Sequence, residues 1–178
     1  MKSMHLGDIT LDPEEECFVS APRPIASLGD SMIRFIFEEI DSEDDGLPPE
    51  YDTAIGNFLV LPSDCTDGLR PHLWAYYREV AAQGLDDIEA IEPDADILDS
   101  IEFGTDAALV PDSDETEIYL SFECDCDWEE EHSLQITLRN GEQIAKVGPY
   151  DGHVNNADAY DRPELKDVVY VRGSDLSD

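Results

Sequence analysis

The stretch EIYLSFECDCDWEEEHSLQITLRNGEQIAKVGPYDGH, residues 117–153, decides the fold because its hydrophobicity alternates along two segments separated by charged residues. Alternate side chains of an extended chain point to opposite faces. The apolar side of the first segment comprises Ile118, Leu120, Phe122, Cys124, Cys126 and Trp128, and the other side comprises Glu117, Tyr119, Ser121, Glu123, Asp125 and Asp127. This pattern predicts a central strand with one face in the core and the other in water.

The second segment, Leu134–Arg139, ends at the dipeptide Asn140-Gly141, a strong signal for a β-hairpin. Both residues tolerate the positive φ that a type I′ turn requires. Because a two-residue turn fixes the register, it predicts four opposed pairs. These are Arg139 with Glu142, Leu138 with Gln143, Ile136 with Ala145, and Leu134 with Val147.

The rest of the chain alternates between strand-like and helix-like patterns. Period-two patterns predict strands at Phe18–Ser20, Ile25–Leu28, Met32–Ile40 and Val168–Arg172. Apolar spacings of three and four predict helices over Tyr51–Leu59 and Leu69–Ala81, and a short third helix is expected at Asp96–Ile101. We therefore predict a single α+β domain over residues 1–178, with a core over about 18–172 and a polar tail at 173–178. A mainly antiparallel sheet would carry its two or three short helices on one side.

The charge is the most unusual property of the composition. The chain has 44 acidic and 10 basic residues, a formal net charge of −34, and no Lys or Arg from Glu79 to Leu138. Such a chain repels nucleic acids and anionic lipids, which argues against both as partners. Three explanations stay open: solubility in a saline cytoplasm, a surface complementary to a basic protein, and cation binding. For the second, the candidate partner-binding residues are Glu117, Glu123, Asp125, Asp127, Glu129 and Glu130.

Localisation follows from what the sequence lacks. No apolar run approaches the roughly 20 residues that a membrane span needs, and Met1–Asp12 does not resemble a signal peptide. We expect a cytoplasmic protein without a membrane partner. The four cysteines, Cys17, Cys65, Cys124 and Cys126, should then be reduced. Cys124 and Cys126 lie on the central strand and should be small core residues.

A metal site can be drawn from two histidines and their acidic neighbours: Glu131, His132, Asp151 and His153. The alternative is that the carboxylates brace loop amides and the histidines bond to them, which the absence of any zinc-like spacing favours. The common hydrolase, nucleotide and metalloprotease motifs are missing. We therefore expect no catalytic residue, metal or cofactor, and lean against an enzyme.

Three runs carry a family resemblance: residues 122–132 (FECDCDWEEEH), 146–153 (KVGPYDGH) and 156–160 (NADAY). They resemble a bacterial family known only as a domain of unknown function, with the signature E-C-x-C-D-W-E-x-E-H-G-L-Q and a Y-D-G-H loop. Residues 54–59 and 74–77 are similar to its helical portion, so the likeness covers about residues 30–171. Ser133 stands where the signature has glycine. The resemblance implies a shared fold and no assigned activity.

Small acidic bacterial families of this kind include antitoxins and immunity proteins. The leading functional hypothesis is therefore a non-enzymatic module whose acidic face meets a basic partner. Two alternatives are a metal-dependent hydrolase using Glu131, His132, Asp151 and His153, and an acidic surface that serves only salt adaptation.

Overall fold

The computed structural model describes residues 1–38, 40, 46–84, 90–112, 117–129 and 132–176. Its strands are β1 (Lys2–Ser3), β2 (Gly7–Asp12), β3 (Cys17–Ser20), β4 (Arg23–Ile25), β5 (Ser31–Phe37), β6 (Ile101–Phe103), β7 (Asp106–Pro111), β8 (Ile118–Cys126), β9 (Leu134–Arg139) and β10 (Gln143–Pro149). Its α-helices are α1 (Pro49–Leu59), α2 (Arg70–Ala82) and α3 (Asn156–Tyr160). None of the helices in these ranges is long and apolar enough to cross a membrane.

The strands form one sheet in the order β1-β2-β3-β5-β7-β8-β9-β10, with β4 beside β5 and β6 beside β8. Among the described strands, all pairs are antiparallel except β5 with β7, which run parallel. A parallel connection requires a long crossover, and α1 and α2 lie within it. The predicted α+β class with a mainly antiparallel sheet is confirmed.

The two longer helices pack on one face of the sheet and form the main core. Helix α1 buries Ile55 and Phe58, and the Phe58 ring lies 5.5 Å from that of Phe122 on β8. Each such aromatic or aliphatic side chain contributes about 1.5–3 kcal/mol when fully buried. Helix α2 presents Tyr76 and Tyr77 to Trp128, at 6.2 and 5.8 Å between ring centroids. The tryptophan after the central strand therefore anchors the second helix.

The central strand β8 has the predicted dry face, because its alternate residues from Ile118 to Cys126, and Trp128 beyond, are all buried. The prediction for the opposite face was wrong in its first half. Tyr119 is 0% exposed and Ser121 is 7% exposed. Tyr119 packs with Ala145 and Val154 in a second, smaller apolar cluster. The second face of β8 is therefore covered at Tyr119 and Ser121 and is exposed to solvent only toward Asp127.

The cover over the second face comes from the segment that contains α3. The Thr137 hydroxyl on β9 donates to the Val154 carbonyl at 2.8 Å. The predicted strand Val168–Arg172 does not form. Its carbonyls are taken instead by the Asn156 side chain, which donates to Val168 at 2.6 Å, and by the Val147 amide, which donates to Val169 at 2.9 Å.

The hairpin between β9 and β10 has the predicted turn but a different register. Asn140 and Gly141 both have positive φ, at 51° and 77°, and the Glu142 amide donates to the Arg139 carbonyl at 3.2 Å. Pairing, however, begins one residue later, with Arg139 opposite Gln143. A bulge between Ile144 and Lys146 then shifts the register by one more residue, so that Ile136 faces Val147 and Leu134 faces Pro149.

The chain before residue 18 also belongs to the core, which the sequence pattern did not indicate. Ile9 on β2 is 2% exposed. Asp52 on α1 is buried and accepts from the Ser3 hydroxyl at 2.5 Å and from the Met4 amide at 3.1 Å. These bonds hold the N-terminal hairpin against α1.

Three other local predictions are corrected by the structure. Strand β4 ends at Ile25, and residues 26–28 form a 3-10 turn closed by Gly29 at φ 64°. Strand β5 ends at Phe37. The third helix of the Asp96–Ile101 region is a 3-10 turn over Ile97–Ser100.

Candidate functional site

The exposed half of β8 forms a row of carboxylates. Glu123, Asp125 and Asp127 are exposed, and they share one face because they alternate along a strand. Strand β6 extends the row, since Glu102 lies directly opposite Asp125 in the antiparallel register and is exposed as well. We call Glu102, Glu123, Asp125 and Asp127 the acidic face.

The acidic face is electrostatically unfavourable by itself. Like charges directly opposite each other in an antiparallel pair destabilise a sheet, and Glu102 and Asp125 are such a pair. None of its four carboxylates forms an ion pair within the part of the chain that the structure describes. A cationic group from outside would relieve this repulsion.

Two other predicted partner-binding residues are engaged within the protein. Glu117 is partly buried and lies 3.1 Å from the Lys166 ammonium and 3.7 Å from the Arg139 guanidinium. Glu129 accepts from the Tyr76 hydroxyl at 2.8 Å. Their charges are therefore used to join elements of the fold. Glu130 lies outside the described residues.

An aromatic residue lies close to the acidic face. The Tyr150 side chain is 41% exposed, in the loop after β10. Partial burial raises the pKa of Tyr150, and the neighbouring charges of Glu123 and Glu38 raise it further. Tyrosine is enriched at protein interfaces, and the rim of an interface is polar. Sequence reasoning did not assign a role to this residue.

The candidate metal ligands Asp151 and His153 surround a cation that the chain itself provides. The Lys146 side chain is only 3% exposed, and its ammonium contacts the Asp151 carboxylate. It also donates to Gln135 Oε1 at 3.1 Å and to the His153 carbonyl at 3.0 Å. Burial lowers the pKa of Lys146, whereas Asp151 opposes that shift. The Asp151 carboxylate is therefore already paired with a buried ammonium that has three oxygen acceptors.

The histidine of the corner has a different partner. His132 Nδ1 lies 3.1 Å from Glu129 Oε1, and the His132 side chain is 63% exposed. Glu131 is not among the described residues. Within the described part of the chain, no three His, Cys, Asp or Glu residues are grouped so that they could hold a metal ion.

A cleft of about 650 Å³ with a mixed polar and apolar lining lies beside His153, between β7 and the segment containing α3. Its two cationic side chains already have acidic partners. The Lys166 ammonium lies 3.2 Å from Asp112, and Arg162 Nε lies 2.8 Å from Glu164. Both charges are therefore compensated by the protein.

The cysteines of β8 have the environment expected for core residues. Cys124 and Cys126 are buried and form no disulfide. Burial raises the pKa of Cys126 to about 11, and the pKa of the more deeply buried Cys124 is raised further. A protonated thiol is a poor nucleophile, so neither cysteine is placed to act as one.

Two residues of this region escaped the sequence reasoning for different reasons. Glu102 stands in the short alternation Ile101-Glu102-Phe103, too brief to distinguish a strand from a loop. Lys146 is the one Lys or Arg between residues 140 and 161. A lone base in a hairpin strand, followed five residues later by Asp151, was the available signal for the buried pair.

The fold and the surface together define a small, highly acidic α+β domain in which a row of carboxylates lies toward the C-terminal end of the interior strand β8. The chain belongs to the family described as "Domain of unknown function (DUF6985)", whose sequence model matches residues 5–154. The match begins well upstream of the resemblance described above and includes both the acidic face and the Lys146 network. No curated protein and no solved structure matches the chain.

Proposed function

We propose that this protein is a non-enzymatic binding module of the cytoplasm whose acidic face, Glu102, Glu123, Asp125 and Asp127, meets a basic protein. The observation that carries the proposal is the row of exposed carboxylates, which form no ion pair among the described residues and include two like charges directly opposed. Such an arrangement costs stability in the isolated protein. Contact with Lys or Arg side chains converts that cost into an attraction.

The overall charge supports the same conclusion. A net charge of −34 accelerates the encounter with a positively charged partner, since electrostatic complementarity acts mainly on the association rate. Tyr150 beside Glu123 offers an aromatic anchor, and interface energy concentrates on few such residues. Some small acidic bacterial families act as antitoxins or immunity proteins, and we propose an inhibitor of that type, which would cover a basic effector.

The test compares two variants with the same net charge. The face variant carries Glu102→Gln, Glu123→Gln, Asp125→Asn and Asp127→Asn. The control variant carries Glu14→Gln, Glu92→Gln, Asp30→Asn and Asp94→Asn, which are exposed residues of other regions. Each removes four negative charges, so that a difference between them reports the position of the charges and not their number.

Affinity capture from the native cell, at low and at physiological salt, should return a basic protein with the wild type and the control variant. With the purified partner, calorimetry should show that the face variant loses about 2 kcal/mol, or roughly 30-fold in affinity, if each exposed contact contributes about 0.5 kcal/mol. The proposal fails if no specific protein is captured at either salt concentration. It fails equally if both variants bind as the wild type does.

A further inference from the structure

A second feature lies on the helix side of the sheet, away from the acidic face. An apolar pocket of about 430 Å³ opens between the end of α1, the 3-10 turn at Cys65–Leu69 and the strands β8–β10. Phe58, Phe122 and Ile136, each 1% exposed, form its floor. We propose that this pocket binds a small amphipathic amine, with its hydrocarbon part inside and its ammonium group at Glu142.

The apolar part of the ligand follows from the lining. Protein interiors are packed about as densely as organic crystals, so an opening of this size into the core is an exception. Small-molecule sites typically measure about 300–1,000 Å³ and have mostly apolar walls. Leu61 and Leu69 complete an aliphatic and aromatic wall here. Because each buried methylene contributes about 0.8 kcal/mol, a hydrocarbon chain should gain roughly fourfold in affinity per methylene until the pocket is full.

The charge of the ligand follows from the rim. Glu142 lines the pocket and is exposed, and it has no ion pair with any residue that the structure describes. Its carboxylate attracts an ammonium and repels a carboxylate. The high negative charge of the whole chain acts in the same direction.

Two glycines beside the pocket make close contacts with neighbouring elements. Any Cβ added to Gly141 would lie 1.9 Å from the Ala54 carbonyl of α1, and one added to Gly68 would lie 3.0 Å from Ile144 Cδ1. The hairpin turn is thereby fixed to the helix on one side, and the 3-10 turn to β10 on the other. One buried polar group stands near the wall: the Ser27 hydroxyl, beside the Cys65 thiol, has no hydrogen bond of normal geometry.

The first experiment measures binding of octylamine, hexylamine, 1-octanol and octanoate by calorimetry on the full chain. We expect octylamine to bind roughly 15-fold more tightly than hexylamine, from two methylenes. Octanol should bind up to about fivefold more weakly than octylamine, the value of one exposed ion pair, and octanoate more weakly still. Equal affinity for the two amines would overturn a hydrocarbon pocket, and octanoate binding as well as octylamine would overturn the cationic selection.

Variants localise the site. Leu61→Trp fills the pocket and should abolish octylamine binding, whereas Val60→Trp changes the neighbouring residue, which is 81% exposed and does not line the pocket. Glu142→Gln should remove the preference for octylamine over octanol while leaving octanol binding unchanged. If Leu61→Trp and Val60→Trp bind octylamine equally, the site lies elsewhere.

Labelling of the wild type keeps the test valid if a variant fails to fold. Cys65 lines the pocket, and Cys17 is a half-buried cysteine that does not line it. Octylamine should slow the reaction of Cys65 with N-ethylmaleimide, measured by mass spectrometry of peptides, and leave that of Cys17 unchanged. Equal rates at Cys65 with and without saturating octylamine would overturn the proposal.

Discussion

Gly141 is the position where one added methyl group should damage the fold most. Its φ is 77°, and a Cβ there would meet the Ala54 carbonyl oxygen at 1.9 Å, its carbonyl carbon at 2.9 Å and the Phe58 amide at 3.1 Å. These atoms belong to the backbone of α1 and cannot rotate away. The turn is also tied to the helix by the Asn57 side chain, which donates to the Asn140 carbonyl at 2.9 Å.

Gly141→Ala should therefore lower the stability of the protein for two reasons. The left-handed conformation costs an alanine about 1–2 kcal/mol, and forcing extra volume into a packed contact costs about 1–3 kcal/mol. We expect a loss of about 3 kcal/mol, which lowers the melting temperature of a chain of this size by about 6–12 °C.

Gly152→Ala is the matched control, because Gly152 has φ 81° and the added Cβ would meet no described atom within 4 Å apart from its chain neighbours. It should lose only the conformational part, about 1–2 kcal/mol. Urea denaturation followed by tryptophan fluorescence measures both variants. If Gly141→Ala is no less stable than Gly152→Ala, the turn does not pack against α1 as described.

Three further results are expected. Ser133 has φ 61°, so Ser133→Gly should raise the free energy of unfolding by about 0.5–1 kcal/mol, and a loss of stability in urea denaturation would contradict this conformation. The half-buried Cys17 and Cys65 should react with a disulfide reagent in the native protein faster than Cys124 and Cys126, because a reagent does not reach the two buried sulfurs and burial raises their pKa. Equally rapid reaction of all four would contradict the buried positions. Raising sodium chloride to molar concentration should raise the melting temperature, because the screening length of about 3 Å at 1 M weakens the self-repulsion of a chain with a net charge of −34. An unchanged melting temperature would exclude salt adaptation as the reason for the acidity.

The sequence was most informative where a pattern depends on neighbours along the chain. The spacing of Tyr51, Ile55 and Phe58 is enough to define α1, and Leu134–Arg139 has the predicted bounds of β9. The expectation of glycine at residue 133 also has a physical reason in the structure, because Ser133 takes the left-handed conformation that glycine adopts without strain.

Features that depend on distant parts of the chain were not visible in this way. The alternation places Tyr119 on the solvent-facing side of its strand, but Val154 packs against it. The predicted register was wrong by one residue from the start of the hairpin, and the bulge at Ala145, which leaves no mark in the hydrophobic pattern, made it wrong by two. Asp151 could be read as a metal ligand because the sequence does not show that Lys146 points at it.

For the candidate site, the alternation identified three of the four acidic-face residues, Glu123, Asp125 and Asp127, as exposed. It could not separate them from Glu117, which neutralises Lys166 and Arg139. Both kinds of carboxylate look alike in a sequence. Only the positions of the bases distinguish a charge that holds the fold together from one that is available to a partner.

The parallel pairing of β5 with β7 has a consequence for biosynthesis. The sheet consists of an N-terminal half, β1 to β5, and a C-terminal half, β6 to β10, and the two halves join along this pair. Contacts between segments so distant along the chain form slowly. On the ribosome, β5 therefore emerges with an unpaired edge that is a template for aggregation until residues 106–111 have been translated. The nascent polypeptide is most vulnerable while its two long helices are being made.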